Sequence, residues 1–138
     1  MIYPNRTLNC NGTLLFLDRP IIMGILNVTP DSFFDGGKYN NINQALFQAE
    51  KMLVEGATII DIGGMSSRPG AETISMEEEL RRVQPVIEKI GQKFPEAILA
   101  IDTVYAKTAK SAIEAGASIV NDISAGSMDE AMYATVAK

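Results

Sequence analysis

The sequence predicts an α/β fold built on parallel strands, and three observations predict it. Short apolar runs rich in β-branched residues, IIMGIL, TIIDIG, AILAID and SIVNDI, recur along the chain. Each is followed by a polar loop and then by a segment with helical spacing. The runs are nearly continuous rather than strictly alternating, which is how strands buried on both faces read. An open α/β sheet and a (β/α)8 barrel both satisfy this pattern. A complete barrel takes roughly 250 residues, so 138 residues carrying four βα units are expected to form a partial barrel.

The first element is a hairpin. TLNC and TLLFLD flank Asn11-Gly12, a dipeptide suited to the left-handed positions of a tight turn. After the first apolar run, Ala45, Leu46, Ala49, Met52 and Leu53 recur at helical intervals between Ile42 and Glu55, and Gly56 follows as a stop. The next helix, Ser75 to Gln92, opens with Ser75 and Glu78 in capping-box spacing. It sets Leu80, Val83, Ile87 and Ile90 on one face and is expected to bend at Pro85. Thr103 is expected to N-cap the segment running through Ala106, Ala109 and Ile113 to Gly116. Ser127 is expected to cap the segment that reaches the C-terminus.

Composition narrows the function classes. With 46% apolar residues the chain can bury a core and reads as one domain or part of one. A net charge of −5, with the acids dispersed, offers no basic surface for nucleic acid or an anionic membrane. Cys10 has no second cysteine to pair with, and the absence of histidine rules out a Cys/His zinc site. The opening residues MIYPNR lack the pattern of a signal peptide, and no run is long and uncharged enough to span a bilayer. A soluble cytoplasmic protein is expected.

Polar residues recur where the strands end. Asn27 closes the first run, Asp61 sits in the second, Asp102 in the third, and Asn121 with Asp122 in the fourth. Active sites of barrels and open α/β sheets are built at the carboxyl ends of the strands, so such groups converge on one pocket. Strand terminators or helix caps would explain any one of them; recurrence in all four favours a shared site. The loops NVTPDSFFDGG and GGMSSRPGA are long for βα connections. They mix glycine with Phe33, Phe34, Asp31, Asp35 and Arg68, as a closing lid would, although a surface loop punctuated by proline and glycine reads the same way.

NVTPDSFFDGG after a strand, then DIGGMSSRPGA, IDT and AGASIVNDIS, resemble in order and spacing the successive signatures of dihydropteroate synthases, across essentially the whole chain. The resemblance implies a (β/α)8 TIM barrel of which residues 1–138 form the N-terminal half. It also implies an enzyme of folate biosynthesis that joins a pterin carrying a methylene pyrophosphate to p-aminobenzoate. In that reading Asn27 helps hold Mg²⁺ with the pyrophosphate, and Asp102 and Asn121 grip the pterin. Asp61 either bonds the pterin or ties down a neighbouring loop. Ser67 and Arg68 lie near the pyrophosphate and p-aminobenzoate, while Phe33 and Asp35 belong to a first loop that closes over the substrates. Asp35 and Arg68 are the implied catalytic pair.

Many family members read Glu-Ser-Thr-Arg where this chain has Met65-Ser66-Ser67-Arg68, which keeps a hydroxyl at Ser67. Ile123 would be an apolar wall beside the pterin or simple barrel packing, and stays outside the expected site. The family's lysine, arginine and histidine contacts come from the other half, so this chain alone is expected to be inactive and the full-length enzyme homodimeric. Two further readings are a non-catalytic pterin-binding half-barrel and the methyltetrahydrofolate-binding barrel of a methyltransferase. The NVTPDSFFDGG loop speaks against the second.

Overall fold

Asn11 and Gly12 adopt φ values of 50° and 89°, the paired left-handed conformation that matches the twist of a two-residue hairpin. The turn joins β1 (Thr7–Cys10) to β2 (Thr13–Phe16) in antiparallel register, Thr7 opposite Phe16 and Cys10 opposite Thr13. The Asn9 side chain accepts the Gly12 N–H at 2.8 Å and locks the turn. The computed structural model describes residues 6–29, 37–65 and 73–137.

Four parallel strands follow, β3 (Met23–Asn27), β4 (Ile59–Gly63), β5 (Ile98–Asp102) and β6 (Ile119–Asn121). They lie side by side in chain order. Helices α1 (Gly37–Val54), α2 (Met76–Lys93) and α3 (Ala106–Glu114) alternate with them, and the short α4 (Ala131–Val136) comes last.

Strand alternation sends Leu26, Ile60, Ile62, Leu99 and Ile101 to one face. There they pack with Ala45 and Ala49 of α1, Val83, Val86, Ile87 and Ile90 of α2 and Ala112 of α3. On the other face, which carries no helix among the described residues, Ile59, Ile98 and Ala100 pack with Cys10, Leu15 and Ile21 from the hairpin and its exit. Sequential strand order with α1, α2 and α3 packed on one side is the arc of a (β/α)8 barrel. A doubly wound sheet would reverse direction and cover both faces. The hairpin therefore closes the end of the inner face where the strands begin, and leaves open the end where they finish.

Helix ends follow local chemistry. After α1, Gly56 takes φ +107°, with its N–H on the Leu53 carbonyl and the Ala57 N–H on that of Met52. Gly116 and Ala117 repeat the same closure after α3. Ser75 caps α2 by accepting the Glu78 N–H at 3.2 Å. The box is not reciprocal: the Glu78 carboxylate is held by Arg81 and Arg82, which pull its pKa down to about 2. α2 continues through Pro85 to Lys93 as one element.

Three expectations are corrected. α1 starts at Gly37, ahead of Ile42, because its polar opening carries no apolar period to read. Neither Thr103 nor Ser127 caps a helix. Asp129 accepts the Ala106 N–H at 2.8 Å and the Ala131 N–H at 3.1 Å, so one carboxylate serves the first turns of both α3 and α4.

Candidate active site

Parallel register puts Asn27, Gly63, Asp102 and Asn121 in one row across the sheet, on the inner face at the carboxyl ends of the strands. One step lower the row reads Ile25, Asp61, Ala100 and Ile119. The strand-end residues singled out in the sequence are thus brought together. Asp61 lies within β4 rather than at its end, beneath the gap that Gly63 leaves. A methyl on Gly63 would stand 3.4 Å from Asn27 Oδ1 and 3.6 Å from Asp102 Oδ2. Those are ordinary contact distances, so the glycine keeps free a space bordered by both side chains.

Asp61 is 3% exposed. Its Oδ2 accepts a hydrogen bond from Asn121 Nδ2 at 2.9 Å, while Oδ1 is buried without a partner among the described residues. Burial pushes the Asp61 carboxyl above the ordinary range, with the Asn121 amide opposing. Asp102, half-buried, is raised by burial and then by the charges of Asp61 and Asp122. Asp122 does different work. Although partial burial opposes it, the Ser124 and Gly126 N–H groups at 2.7 and 2.8 Å hold its carboxyl below the usual value and fold the loop after β6. Ile123, in the same loop, is exposed in this half of the barrel.

These shifts carry a sign. Asp61 and Asp102 bind protons more tightly folded than unfolded, so the stability they contribute is present below the ordinary value of 3.8 and lost as pH rises through their raised values. Asp61→Asn keeps the side chain's shape and is expected to flatten that fall in thermal denaturation curves recorded from pH 3.8 upward. A variant whose stability declines with pH just as the wild type does would clear Asp61 of the effect.

Behind the row lie residues the sequence reading missed. Glu79 of α2 is fully buried, and its Oε2 accepts the Thr103 hydroxyl at 2.5 Å. Its position four residues before Val83, on the apolar face of α2, was the available signal; the EEEL run at the helix start disguised it. Arg82 Nη1 donates to the Gly64 carbonyl at 3.0 Å, and the Tyr105 hydroxyl donates to the Ile74 carbonyl at 3.0 Å. Both flanks of the second loop are thereby tied to the helical layer, by long-range contacts with no sequence signature. Ser67 and Arg68, together with Phe33 and Asp35, lie outside the described residues.

The described residues contain no cluster of three or more Asp, Glu, Cys or His that could cage a metal. A concavity of about 580 Å³ bordered by Asn9, Lys110, Ile113 and Ser118 lies at the other end of the strands and shares no residue with the polar row. What the row offers is a carboxyl, amides able both to donate and to accept, and an open floor. That combination suits a flat, polar heterocycle carrying several donors and acceptors.

Residues 23–138 match the model of a family described as pterin binding enzyme. The chain is similar to the dihydropteroate synthase of Bacillus subtilis (strain 168), 50% identical over 127 residues, which cover 92% of this chain and 44% of that protein. Among solved structures, it is similar to the Xanthomonas albilineans dihydropteroate synthase with 4-aminobenzoic acid. The TM-score is 0.90 at 42% identity, covering 97% of this chain and 48% of that one. The same enzyme in complex with 7,8-dihydropteroate gives a TM-score of 0.83 at 40% identity, covering 96% and 47%. This chain spans about half the length of the relatives it matches.

Proposed function

The chain belongs to the pterin binding enzyme family, and from that premise we propose that it is the first half of a dihydropteroate synthase barrel and supplies the pterin-holding part of its site. The observation that carries the reading is the convergence of Asp102, Asn121 and Asp61 around the space kept open by Gly63. Turnover, p-aminobenzoate binding and a homodimeric assembly are proposed for the whole barrel, together with a cytoplasmic location. Among the described residues no helix is long and apolar enough to cross a membrane.

In the proposed reaction the amine of p-aminobenzoate forms a C–N bond to the pterin methylene as the C–O bond to pyrophosphate breaks. Such a displacement needs oriented substrates and stabilised charge rather than a protein nucleophile. Asp102 accepts from the pterin's amino and ring N–H groups. Asn121, steadied by its bond to Asp61, fixes the ring's orientation. Ser67 and Arg68 meet the anionic groups, and Phe33 with Asp35 closes over the substrates and excludes water.

Asn27 is the proposed protein ligand for Mg²⁺. A single neutral amide oxygen, set beside the open floor, fits an ion that takes its other ligands from pyrophosphate and water. When bound, the ion would neutralise charge on the departing pyrophosphate.

The test is calorimetric titration of the purified protein with the pterin pyrophosphate, with and without Mg²⁺, followed by an assay for dihydropteroate. Binding is expected, strengthened by Mg²⁺. Binding without product would mark a pterin-holding module. No binding by folded protein would overturn the reading for these residues.

A further inference from the structure

We propose that Glu79 is the positioning residue of the strand-end site: from within the core, and through Thr103, it sets where Asp102 and Asn121 stand. The inference takes its ligand from the pterin reading and its geometry from the chain alone.

Glu79 touches the ends of two neighbouring strands at once. Its Oε2 takes the hydrogen of Thr103, the residue directly after Asp102. Thr103 Oγ1 accepts the Tyr105 N–H at 3.1 Å, and the Thr103 N–H donates to the Asn121 carbonyl at 3.0 Å. The Thr103 side chain thereby links the start of the β5–α3 connection to α2, and its backbone links β5 to the residue that grips Asp61. On the other side, Glu79 packs against Gly64, where an added Cβ would fall 2.9 Å from Glu79 Cγ. Gly64 follows Gly63, the open floor of the site.

The acid is an expensive way to fill this volume. It is fully buried, and among the described residues its Oε1 lacks a well-aligned partner, as does the neighbouring Thr108 hydroxyl. Burial raises the Glu79 carboxyl above its ordinary range, opposed by the Thr103 and Thr108 hydroxyls. A leucine would fill similar space without the desolvation cost of a buried acid. What a leucine could not do is accept the Thr103 hydrogen. Thr103, 2% exposed, would be left with a buried unmet donor and would shift to satisfy it, carrying Asp102 with it.

Two variants separate position from packing. Glu79→Leu is expected to stay folded, and to bind the pterin pyrophosphate roughly 10- to 100-fold more weakly, the scale on which small misplacements act. Glu79→Gln keeps an oxygen for Thr103 and gives Thr108 a donor, and is expected to restore binding to about the wild-type level. Independently of ligand, the Asn121 side-chain amide resonances of ¹⁵N-labelled protein are expected to move in Glu79→Leu and to return in Glu79→Gln. Thr103→Val should reproduce the leucine effect, and the double variant should be no worse than either alone; this pair also decides the matter should Glu79→Leu fail to fold. Unmoved Asn121 resonances in folded Glu79→Leu or Thr103→Val overturn the proposal whatever the ligand does. Moved resonances in a protein that never binds the pterin leave Glu79 positioned as proposed and overturn the ligand reading instead.

Discussion

Asp102→Ala is expected to weaken binding of the pterin pyrophosphate by about 1.5–3 kcal/mol, or roughly 10- to 150-fold, while the protein remains folded. The size follows from losing hydrogen bonds that a carboxylate accepts from ring donors, which are stronger than neutral ones. Folding should survive because Asp102 is half-buried and burial already disfavours its charge, so truncation removes a cost along with a contact. Asn121→Ala is a less clean probe. It would strip Asp61 Oδ2 of its donor and leave a buried carboxyl with neither oxygen met among the described residues, so lost binding and lost stability would arrive together. Calorimetry on Asp102→Ala with Tm measured in parallel decides the point, and unchanged affinity in the folded variant would remove Asp102 from the site.

Gly64→Ala is expected to cost about 1–3 kcal/mol, lowering Tm by roughly 5–10 °C at the middle of that range. The new methyl would lie 2.9 Å from Glu79 Cγ, 3.0 Å from Val83 Cγ1 and 3.3 Å from the Glu79 carbonyl oxygen. Val83 and Glu79 are both fully buried, so neither has room to retreat. Gly63→Ala, one residue earlier, is the contrast. Its methyl meets Asn27 and Asp102 at 3.4 and 3.6 Å, so Tm should hold while pterin binding falls, because the floor of the site is filled. Adjacent glycines would thus divide stability from binding. Equal Tm losses in the two variants would mean that Gly63 is a packing position like Gly64.

Much of the fold was legible because its determinants are short-range. Asn11-Gly12 carries its own turn geometry, Gly56 and Gly116 their own helix closures, and Ser75 its own cap. The strand runs were legible too, since burial on both sides, complete in β4 and nearly so in β5, leaves an unbroken apolar string. The polar residues closing those runs pointed to the open end of the sheet, and the long motifs through the first two loops pointed to the family. The sequence by itself therefore determined the elements, their order and the end at which the polar residues gather.

Only tertiary structure decided the rest. Whether the strands form an open sheet or an arc of a barrel depends on which face each helix covers, and apolar strands look alike in both; the packing of α1, α2 and α3 on one side settles it. The bond from Asn121 to Asp61 spans 60 residues and that from Thr103 to Glu79 spans 24, far beyond the reach of any helical or strand period. Asp129 displaced Thr103 as the cap of α3 for the same reason, since a carboxylate from a later loop reaches the α3 N-terminus only once the layers are packed. Glu79 reads in sequence as one acid among three opening a solvated helix. Its burial, and with it the support behind Asp102, comes from the closing of β4 and β5 against α2.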